Sequence, residues 1–526
     1  MTKTIRKDHV IALAVILAVT LCVYGRTIGF EFLATWDDNV YITQNSAVKG
    51  FSLPNLKAAF SSFHVGNYAP VQIISYMFDY TMWGLNPAGF HLGNILLHAA
   101  NGAILFLFMT RLNISTLAAA TASIIFLAHP VQVETVAWVS ERKNILALLF
   151  MLLSLHVWSV WRDRSSGPGK KRLYLLSLVL FLLALLSKAS IAIVFPLLLA
   201  AYTWSYDNSG RTGKIFTAIL PHLALSALFS LIALYAQSAE FSGGREEQFK
   251  GIWPFTMPPV FAKYIGLVFW PHELLPSYLP VYRQNADATV ILSVALLLLC
   301  AAAATLLIRA ERRLLFWFAG IVVPLLPVSQ IIPFVTLMND RYLYVPMIGV
   351  AGLAASCCDH FFPIAAGLKK TVAAGLIVGM IITLGVLSIR QTGIWKNDVV
   401  LWEYLIQHSA PSALYQWRLG EAHRFSGNPG TAMAAYDRAL QLNPDYLRGH
   451  WGAAEALLQM EKPELAIPHA LFIVRKLPQS HLGFTLLGEA YLKLGERDKA
   501  ESALSRAIQL SPQDSRTVAA WQMLSR

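Results

Sequence analysis

Charged residues are scarce in this sequence. Only 14% of its 526 residues are Asp, Glu, Lys or Arg, whereas 56% are hydrophobic. Soluble globular proteins carry about 25% charged residues. The composition therefore excludes an ordinary soluble enzyme, and the long apolar runs between residues 10 and 389 predict a polytopic membrane protein.

Cysteine is also scarce. The sequence contains four cysteines, Cys22, Cys300, Cys357 and Cys358, and all of them lie in apolar runs. Their spacing fits neither a metal-ligand motif nor a disulfide framework. The sequence therefore offers no cysteine-based metal site and no evidence for an oxidising or a reducing compartment.

The apolar runs predict an all-α membrane domain of about eleven transmembrane helices. A helix needs about 20 apolar residues to cross the hydrocarbon core of a bilayer. The predicted spans are 9–28, 90–111, 114–130, 143–162, 173–188, 189–206, 214–236, 288–308, 313–329, 342–362 and 370–390. We interpret the first as a retained span, because no small-residue cleavage site followed by a soluble domain comes after it.

The excess of basic residues has a topological explanation. The formal net charge is +12, and many of the Lys and Arg residues fall in alternate loops between the predicted spans. Cytoplasmic loops of membrane proteins are enriched in Lys and Arg. The pattern predicts a cytoplasmic N-terminus and no nucleic-acid partner. It places loops 30–89 and 237–287, and everything after residue 390, on the outer face.

Both long outer loops contain apolar stretches that are too short to span. Helical spacing in 53–63 and 71–83 predicts amphipathic helices that lie in the membrane interface. The stretch 260–270 predicts a re-entrant or interfacial segment over a cavity.

The C-terminal part has a repeat of 34 residues. Small residues and prolines recur at this interval, in three sets: Gly420, Ala454 and Gly488; Ala432, Ala466 and Ala500; Pro444, Pro478 and Pro512. This is the tetratricopeptide pattern, and three such units suffice for a stacked α-solenoid. We therefore predict a membrane domain at 1–390, an interfacial linker at 391–412, and three repeats with a capping helix at 413–526.

The first outer loop begins with an acidic pair. Asp37 and Asp38 follow Trp36, a few residues beyond the first predicted span. Carboxylates this close to hydrocarbon are costly unless water, a partner or a substrate meets them, so the pair is a candidate catalytic site. The alternative is a hydrated loop that happens to be acidic.

Four cations lie on the predicted outer face, against the usual preference of basic residues for the cytoplasmic side: Arg142, Lys143, Lys188 and Arg341. A lipid phosphate would explain them, since Arg offers paired donors and Lys a point charge.

The cations also have structural explanations. Long side chains such as Arg341 and Lys188 can extend to the membrane interface without binding a ligand. The adjacent pair at 142–143 could instead form ion pairs with Glu134 or Glu141.

These side chains together suggest group transfer from a membrane lipid phosphate. A carboxylate would take the proton from an acceptor hydroxyl, and the cations would stabilise the departing phosphate. We place four residues in supporting roles: His64, Tyr68, His129 and Glu134. A divalent cation, Mg or Mn, bridging Asp37 and Asp38 is compatible with their oxygen ligands.

One further polar cluster lies within a predicted span. His91 and His98 share a helix face with Asn94 and Asn101. We interpret this face as a set of interhelical hydrogen-bonding groups rather than a metal site.

Taken in order, these motifs resemble those of the transmembrane-and-tetratricopeptide O-mannosyltransferases, within the GT-C class of polyprenyl-phosphate-sugar glycosyltransferases. The matching stretches extend along nearly the whole chain: Trp36-Asp37-Asp38, Tyr68-Ala69-Pro70, 84–91 with Leu97-His98, His129-Pro130 with Glu134, Ser187-Lys188, 341–346, and the repeats. The short array of three repeats makes the chain similar to a bacterial member.

The resemblance implies a GT-C fold with an outward-facing active site. It implies that Asp37, or secondly Asp38, is the catalytic base of an inverting transfer to an acceptor hydroxyl. The donor would be a polyprenyl-phosphate-linked sugar, and its phosphate would be bound by the cations Arg341, Lys188, Arg142 and Lys143. The acceptor would be Ser or Thr of a protein held by the repeats, at the outer face of a bacterial inner membrane.

The sequence departs from the family pattern at two places, and the second, which removes a charge near the donor site, leaves the sugar open between mannose and another hexose. The segment Glu141-Arg142-Lys143-Asn144 stands where many relatives have Gly-Arg-Ala-Asp, and Ala189 stands where a Glu is common. The rival enzyme interpretations are an oligosaccharide ligase and a lipid-modifying sugar transferase. The non-enzyme alternatives are a transporter and a membrane-anchored repeat scaffold for envelope assembly.

Overall fold

The structure is a computed structural model that describes residues 7–164, 167–206, 212–240, 252–279, 281–331, 336–361 and 367–524. Helices dominate these residues, and apart from one isolated bridge between His64 and Asn67 no β-pairing occurs among them. The predicted all-α fold class is confirmed. The chain divides into two compact units, Met1–Leu33 with Asp37–Lys396, and Ala34–Trp36 with Asn397–Arg526.

The first unit is built from long apolar helices joined by short helical turns. Its α-helices in the described ranges are α1 (Lys7–Tyr24), α2 (Leu53–Ser61), α3 (Pro70–Trp83), α4 (Pro87–Arg111), α5 (Thr116–Ala128), α6 (Val133–Ala137), α7 (Arg142–Asp163), α8 (Pro168–Ala192), α9 (Phe195–Tyr206), α10 (Thr212–Glu240), α11 (Trp253–Phe269), α12 (Ala288–Ala310), α13 (Leu314–Val322), α14 (Met347–Phe361) and α15 (Leu368–Thr392).

Several of these helices can cross a membrane, which makes the chain a membrane protein. Within the described ranges seven segments are long and apolar enough: Lys7–Gly29, Pro87–Arg111, Val139–Asp163, Pro168–Ala192, Phe216–Ser238, Ala288–Ala310 and Leu368–Trp395. An eighth forms if Thr116–Ala128 and Pro130–Ala137, bent by 55°, count as one span.

The predicted number of eleven is larger because three predicted spans correspond to shorter helices. These are α9 with 12 residues, Leu314–Val328, and α14. In Leu314–Val328 the α-helix stops at Val322, and a 3₁₀ segment containing Pro324 and Pro327 follows. Proline lacks the N–H that an α-helix interior needs, so the regular helix ends before these prolines. The apolar sequence continues past that end, which is why the predicted span is longer than the helix. Which of the short helices completes a crossing stays a prediction.

Helix α8 is interrupted near its C-terminus. Lys188 has φ −157° and ψ 94° inside an otherwise helical segment that continues to Ala192. The sequence predicts a boundary between two spans at this position, and the structure places a kink there. Lys188 is buried and lies where the regular helical backbone is interrupted.

The outer-loop helices form as the sequence predicts. Helix α2 covers most of 53–63, and α3 covers 71–83. Helix α3 is amphipathic, because Tyr76 and Met77 are fully buried whereas Met82 is 72% exposed. The apolar stretch at 260–270 belongs to α11, which is not among the candidate spans.

The second unit consists of helical hairpins. Its α-helices are α16 (Asp398–His408), α17 (Ala413–Phe425), α18 (Pro429–Leu442), α19 (Leu447–Gln459), α20 (Pro463–Lys476), α21 (His481–Leu494), α22 (Arg497–Leu510) and α23 (Ser515–Leu524). Helices α17 to α22 lie in the range predicted for the three repeats, and α23 lies where a capping helix is predicted; the domain bounds and the capping role stay predictions.

Three residues of the first outer loop also belong to this second unit. The ring of Trp36 stacks on Trp402 at 4.9 Å between centroids. Asp398 accepts a hydrogen bond from the Ala34 N–H at 2.8 Å, and the Trp402 indole donates to the Thr35 hydroxyl at 2.7 Å. The motif that contains the acidic pair is thus divided, since its tryptophan belongs to the second unit and its carboxylates to the first.

The repeat period follows from small residues facing large ones. A Cβ added at Gly420 or Gly452 would lie 2.3 or 2.4 Å from the ring of Tyr436, and one at Gly488 would lie 2.4 Å from Leu504. Such distances are far below van der Waals contact. The glycines therefore allow paired helices to approach closely enough to bury these large side chains.

We predict that Gly452→Ala destabilises the repeat unit by about 1–3 kcal/mol, since overpacking forces neighbouring side chains out of their rotamers. Hydrogen–deuterium exchange of the full-length protein would show faster exchange in α18 and α19. The matched control is Gly430→Ala, a helical glycine whose added Cβ meets nothing within 4 Å. Equal exchange in the two variants would contradict this packing role.

Candidate active site

Asp38 is a fully satisfied carboxylate. Only 1% of the residue is exposed. One oxygen accepts a hydrogen bond from the Leu33 N–H at 2.8 Å, and the other accepts from the Trp138 indole at 3.1 Å and the Ser140 N–H at 3.2 Å. The Ser140 hydroxyl donates to the same oxygen. Asp38 therefore fixes the first outer loop against the segment 138–140.

Asp37 is the more accessible member of the pair. It is half-buried, and its backbone carbonyl accepts from the Val40 and Tyr41 N–H groups at 3.1 and 3.0 Å, which starts the helical turn Asn39–Thr43. Burial, then the charges of Asp37 and Glu141, raise the pKa of Tyr41 well above its usual range. Asp37 thus lies within electrostatic range of Tyr41.

Three cations surround the carboxylate of Glu141. Lys143 Nζ lies 2.9 Å from it, Lys188 Nζ 3.2 Å, and Arg341 Nε 3.6 Å. They come from the first turn of α7, the kink of α8 and the 3₁₀ turn Asp340–Leu343. We call Glu141, its three cations and Glu134 the three-cation centre.

Arg341 is bound to Glu134 as well. The Arg341 N–H donates to Glu134 at 2.8 Å, and its guanidinium forms an ion pair with the same carboxylate. Burial alone would lower the pKa of Arg341, but Glu134 and Glu141 raise it above the ordinary value. Within the three-cation centre, three cations therefore face two carboxylates.

The segment 138–141 joins the acidic pair to the three-cation centre. The Ser140 carbonyl accepts from Lys143 Nζ at 2.8 Å, while the Ser140 N–H and hydroxyl bind Asp38. The Trp138 ring lies 5.6 Å from Lys143 Nζ and 5.5 Å from the Arg341 guanidinium, and Lys143 also lies 4.7 Å from the Tyr41 ring. The structure therefore brings Asp37, Asp38, Lys143, Lys188, Arg341 and Glu134 into one site.

Arg142 is directed elsewhere. Its guanidinium forms an ion pair with Asp79 and donates to the Phe90 carbonyl at 2.6 Å and to Asn94 at 2.7 Å. Gly93 leaves room for it, since a Cβ there would lie 2.7 Å from the guanidinium. Neither carboxylate considered from sequence is its partner, and these contacts tie α7 to α3 and α4. A phosphate-binding role for Arg142 stays a prediction.

The other supporting residues contact the rim of the site rather than its centre. His129 Nε2 lies 2.9 Å from the Val268 carbonyl in α11. The His64 ring lies 5.8 Å from that of Tyr41. The Tyr68 hydroxyl donates to the Phe60 carbonyl at 2.9 Å, within the outer loop. Their supporting roles stay predictions.

The polar face of α4 contacts the segment that follows Arg341. His98 Nδ1 and the Asn101 amide lie 2.9 and 3.0 Å from the hydroxyl of Tyr344, three residues after Arg341. Asn94 donates to the Val136 carbonyl at 3.2 Å. The predicted interhelical hydrogen bonding is thus confirmed for these three residues. For His91 the ring packs edge-on against Phe30.

Sequence reasoning missed a second layer of the site. The Tyr278 hydroxyl donates to Asp340 at 2.6 Å, and Lys263 Nζ lies 4.5 Å from the Tyr278 ring centroid. Burial and the charge of Glu134 raise the pKa of Asp340 well above its usual range. Lys263 lies on α11 and Tyr278 follows that helix, in a part of the sequence with no recognisable motif, and only their chemistry as a cation and a phenol could have drawn attention to them.

The donor set does not fit a resident metal ion at the acidic pair. Both Asp38 oxygens already accept hydrogen bonds from N–H or O–H donors. Among the described residues no three His, Cys, Asp or Glu side chains are grouped closely enough to bind one ion.

Comparison with known proteins supports both parts of the chain. The tetratricopeptide repeat family matches 417–481 and 483–514, which confirms the predicted repeats. Human protein O-mannosyl-transferase TMTC4 is 23% identical over 436 residues, covering 70% of this chain and 57% of the relative. Human TMTC1 is 23% identical over 500 residues, covering 82% and 55%. The chain thus spans just over half the length of these relatives.

The comparison with solved structures gives matches of low TM-score. YrrB, described as a TPR protein with an unusual peptide-binding site, is 13% identical with a TM-score of 0.23, covering 42% of this chain and 88% of its own. MamA from Desulfovibrio magneticus RS-1 is 19% identical with a TM-score of 0.22, covering 24% and 80%.

We predict that Glu141→Gln strongly destabilises the first unit, because it leaves three buried cations without their shared carboxylate. Removing one partner of a buried ion pair typically costs about 3–5 kcal/mol. Thermal unfolding of the purified full-length protein would show a lower Tm. The control is Glu273→Gln, whose side chain is 68% exposed. An unchanged Tm for Glu141→Gln would mean that Glu141 does not hold the cations together.

Proposed function

We propose that this protein is a glycosyltransferase that moves a hexose, mannose in the first instance, from a polyprenyl-phosphate donor to a Ser or Thr hydroxyl of a protein. The observation that carries the proposal is the half-buried Asp37 in the same site as three converging cations, Lys143, Lys188 and Arg341. Relatives named protein O-mannosyl-transferases over most of the chain support the same reaction class.

Asp37 acts as the general base and Asp38 positions it. Asp38 is engaged by donors on both oxygens and is poorly suited to accept a proton. As Asp37 takes the proton of the acceptor hydroxyl, the acceptor oxygen bonds to the anomeric carbon of the sugar. The bond from that carbon to the phosphate oxygen breaks, its electron pair leaves with the polyprenyl phosphate, and the configuration inverts.

The three-cation centre stabilises the leaving phosphate. Negative charge grows on the phosphate oxygen as the glycosidic bond breaks, and preorganised cations in a site that excludes water are most effective at this step. The carboxylates Glu141 and Glu134 hold Lys143, Lys188 and Arg341 in place before the donor arrives, so the cations are already positioned for its phosphate.

The two units divide the task. The membrane domain at 1–390 performs transfer at the outer face of a bacterial inner membrane, with the N-terminus cytoplasmic. The linker at 391–412 leads to the repeats at 413–526, which bind the acceptor protein on a stacked-helix surface.

We predict that Asp37→Asn lowers transfer ~10²–10⁴-fold, the usual contribution of a general base. Asp38→Asn should lower both transfer and Tm, since it disturbs the bonds to Trp138 and Ser140. Intact mass spectrometry of envelope proteins from cells expressing each variant would reveal the loss of a hexose mass. The control is Glu31→Gln, an exposed acid of the same loop.

Unchanged protein masses in wild-type and null cells would overturn protein glycosylation, and a changed lipid fraction would then identify a lipid acceptor. Full transfer by Asp37→Asn would overturn the assignment of the base.

We also predict that EDTA leaves transfer by the purified protein unchanged, because the donors around Asp38 occupy the oxygens that a cation would need. Transfer assays with EDTA, and with Mg or Mn added back, test this. Loss of transfer that either metal restores would establish a divalent cation at Asp37 and Asp38.

A further inference from the structure

Helix α11 forms hydrogen bonds with two segments of the site, one just before Arg341 and one just before Glu134. The Asn339 N–H donates to the Tyr264 hydroxyl at 3.3 Å, and His129 Nε2 lies 2.9 Å from the Val268 carbonyl. The Trp253 indole donates to the Ser329 carbonyl at 2.8 Å. The contacts of Tyr264 and Val268 place this part of α11 beside the site, and the contact of Trp253 attaches the N-terminus of the helix to Ser329.

Lys263 projects from α11 toward the same network. Its Nζ lies 4.5 Å from the Tyr278 ring centroid, and the Tyr278 hydroxyl donates to Asp340 at 2.6 Å. Asp340 immediately precedes Arg341. Lys263 is therefore connected to the three-cation centre through two intervening side chains.

Lys263 differs from the cations of that centre in two respects. It is exposed, whereas Lys143, Lys188 and Arg341 are buried or nearly so. Each of those three has a carboxylate oxygen within 4.0 Å, but among the described residues none lies within that distance of Lys263 Nζ. A lysine held over an aromatic ring keeps N–H donors available for an anion.

The surface next to Lys263 suits a lipid chain. Gly266 lies three residues on and so on the same helix face, and no heavy atom of the described residues lies within 4 Å of where its Cβ would be. At the end of the helix Phe269 and Trp270 are 81% and 77% exposed. Along α11, toward its C-terminus, the Lys263 side chain is therefore succeeded by the open space at Gly266 and then by the exposed rings of Phe269 and Trp270.

We propose that Lys263 forms an outer binding site for the phosphate of a polyprenyl phosphate, and that the aromatic end of α11 contacts the prenyl chain. The inference rests on the proposed function, since it names where the lipid phosphate of donor or released carrier binds. Charge-assisted hydrogen bonds from Nζ bind the phosphate oxygens. The buried cations of the three-cation centre act on the phosphate deeper in the site.

A binding measurement in the absence of the glycosyl-transfer reaction tests this site. The purified full-length protein is titrated with a long-chain polyprenyl phosphate and with the matching uncharged polyprenol, and binding is measured by native mass spectrometry. Wild type should prefer the phosphate, and Lys263→Gln should reduce that preference about tenfold or more, the expected loss of a charged hydrogen bond. Lys263→Arg should retain most of it.

Lys57→Gln is the matched control, an exposed lysine on α2 of the first outer loop. An unchanged preference in Lys263→Gln, or an equal loss in Lys57→Gln, would overturn the proposal. Competition by inorganic phosphate as strong as that by the lipid would show a free-anion site and overturn the lipid assignment. Because no acceptor is present, this binding result is independent of whether Asp37→Asn abolishes protein glycosylation.

Discussion

The first unit depends on one buried carboxylate that binds three cations. Removing charges from water is costly, and the cost is offset only when partners meet at hydrogen-bond distance. Glu141 can serve Lys143, Lys188 and Arg341 only if α7, the kink of α8 and the turn Asp340–Leu343 converge on it. This requirement explains why the helix is interrupted at Lys188, and it couples the formation of the site to the packing of the helices.

The acidic pair shows how adjacent residues of the same type acquire different chemistry. Both oxygens of Asp38 accept hydrogen bonds from N–H and O–H donors, and these bonds fix the position of the first outer loop. Asp37 stays half-buried next to it. A carboxylate whose oxygens all accept hydrogen bonds from the protein is poorly suited to take a proton from a substrate, which makes Asp38 the positioning member of the pair in the proposed mechanism.

The two units are stabilised by different means. The repeats depend on shape, since glycines at fixed intervals admit Tyr436 and Leu504 between paired helices. The membrane unit depends on satisfying polar groups, for example the Tyr344 hydroxyl, which His98 and Asn101 both contact. Small residues that recur at one interval can be recognised in the sequence as a period. Polar side chains that bind partners far away in the chain leave no such period.

The sequence by itself determined the helical class, the repeats and the candidate pair Asp37 and Asp38, because each of these leaves a local pattern of hydropathy, period or misplaced charge. Only the tertiary structure decided the partners. Arg142 and Lys143 are neighbours, but successive residues of a helix point about 100° apart, so one binds Asp79 and the other Glu141. Lys263 and Tyr278 join the site through contacts between segments far apart in the chain, which no local pattern records.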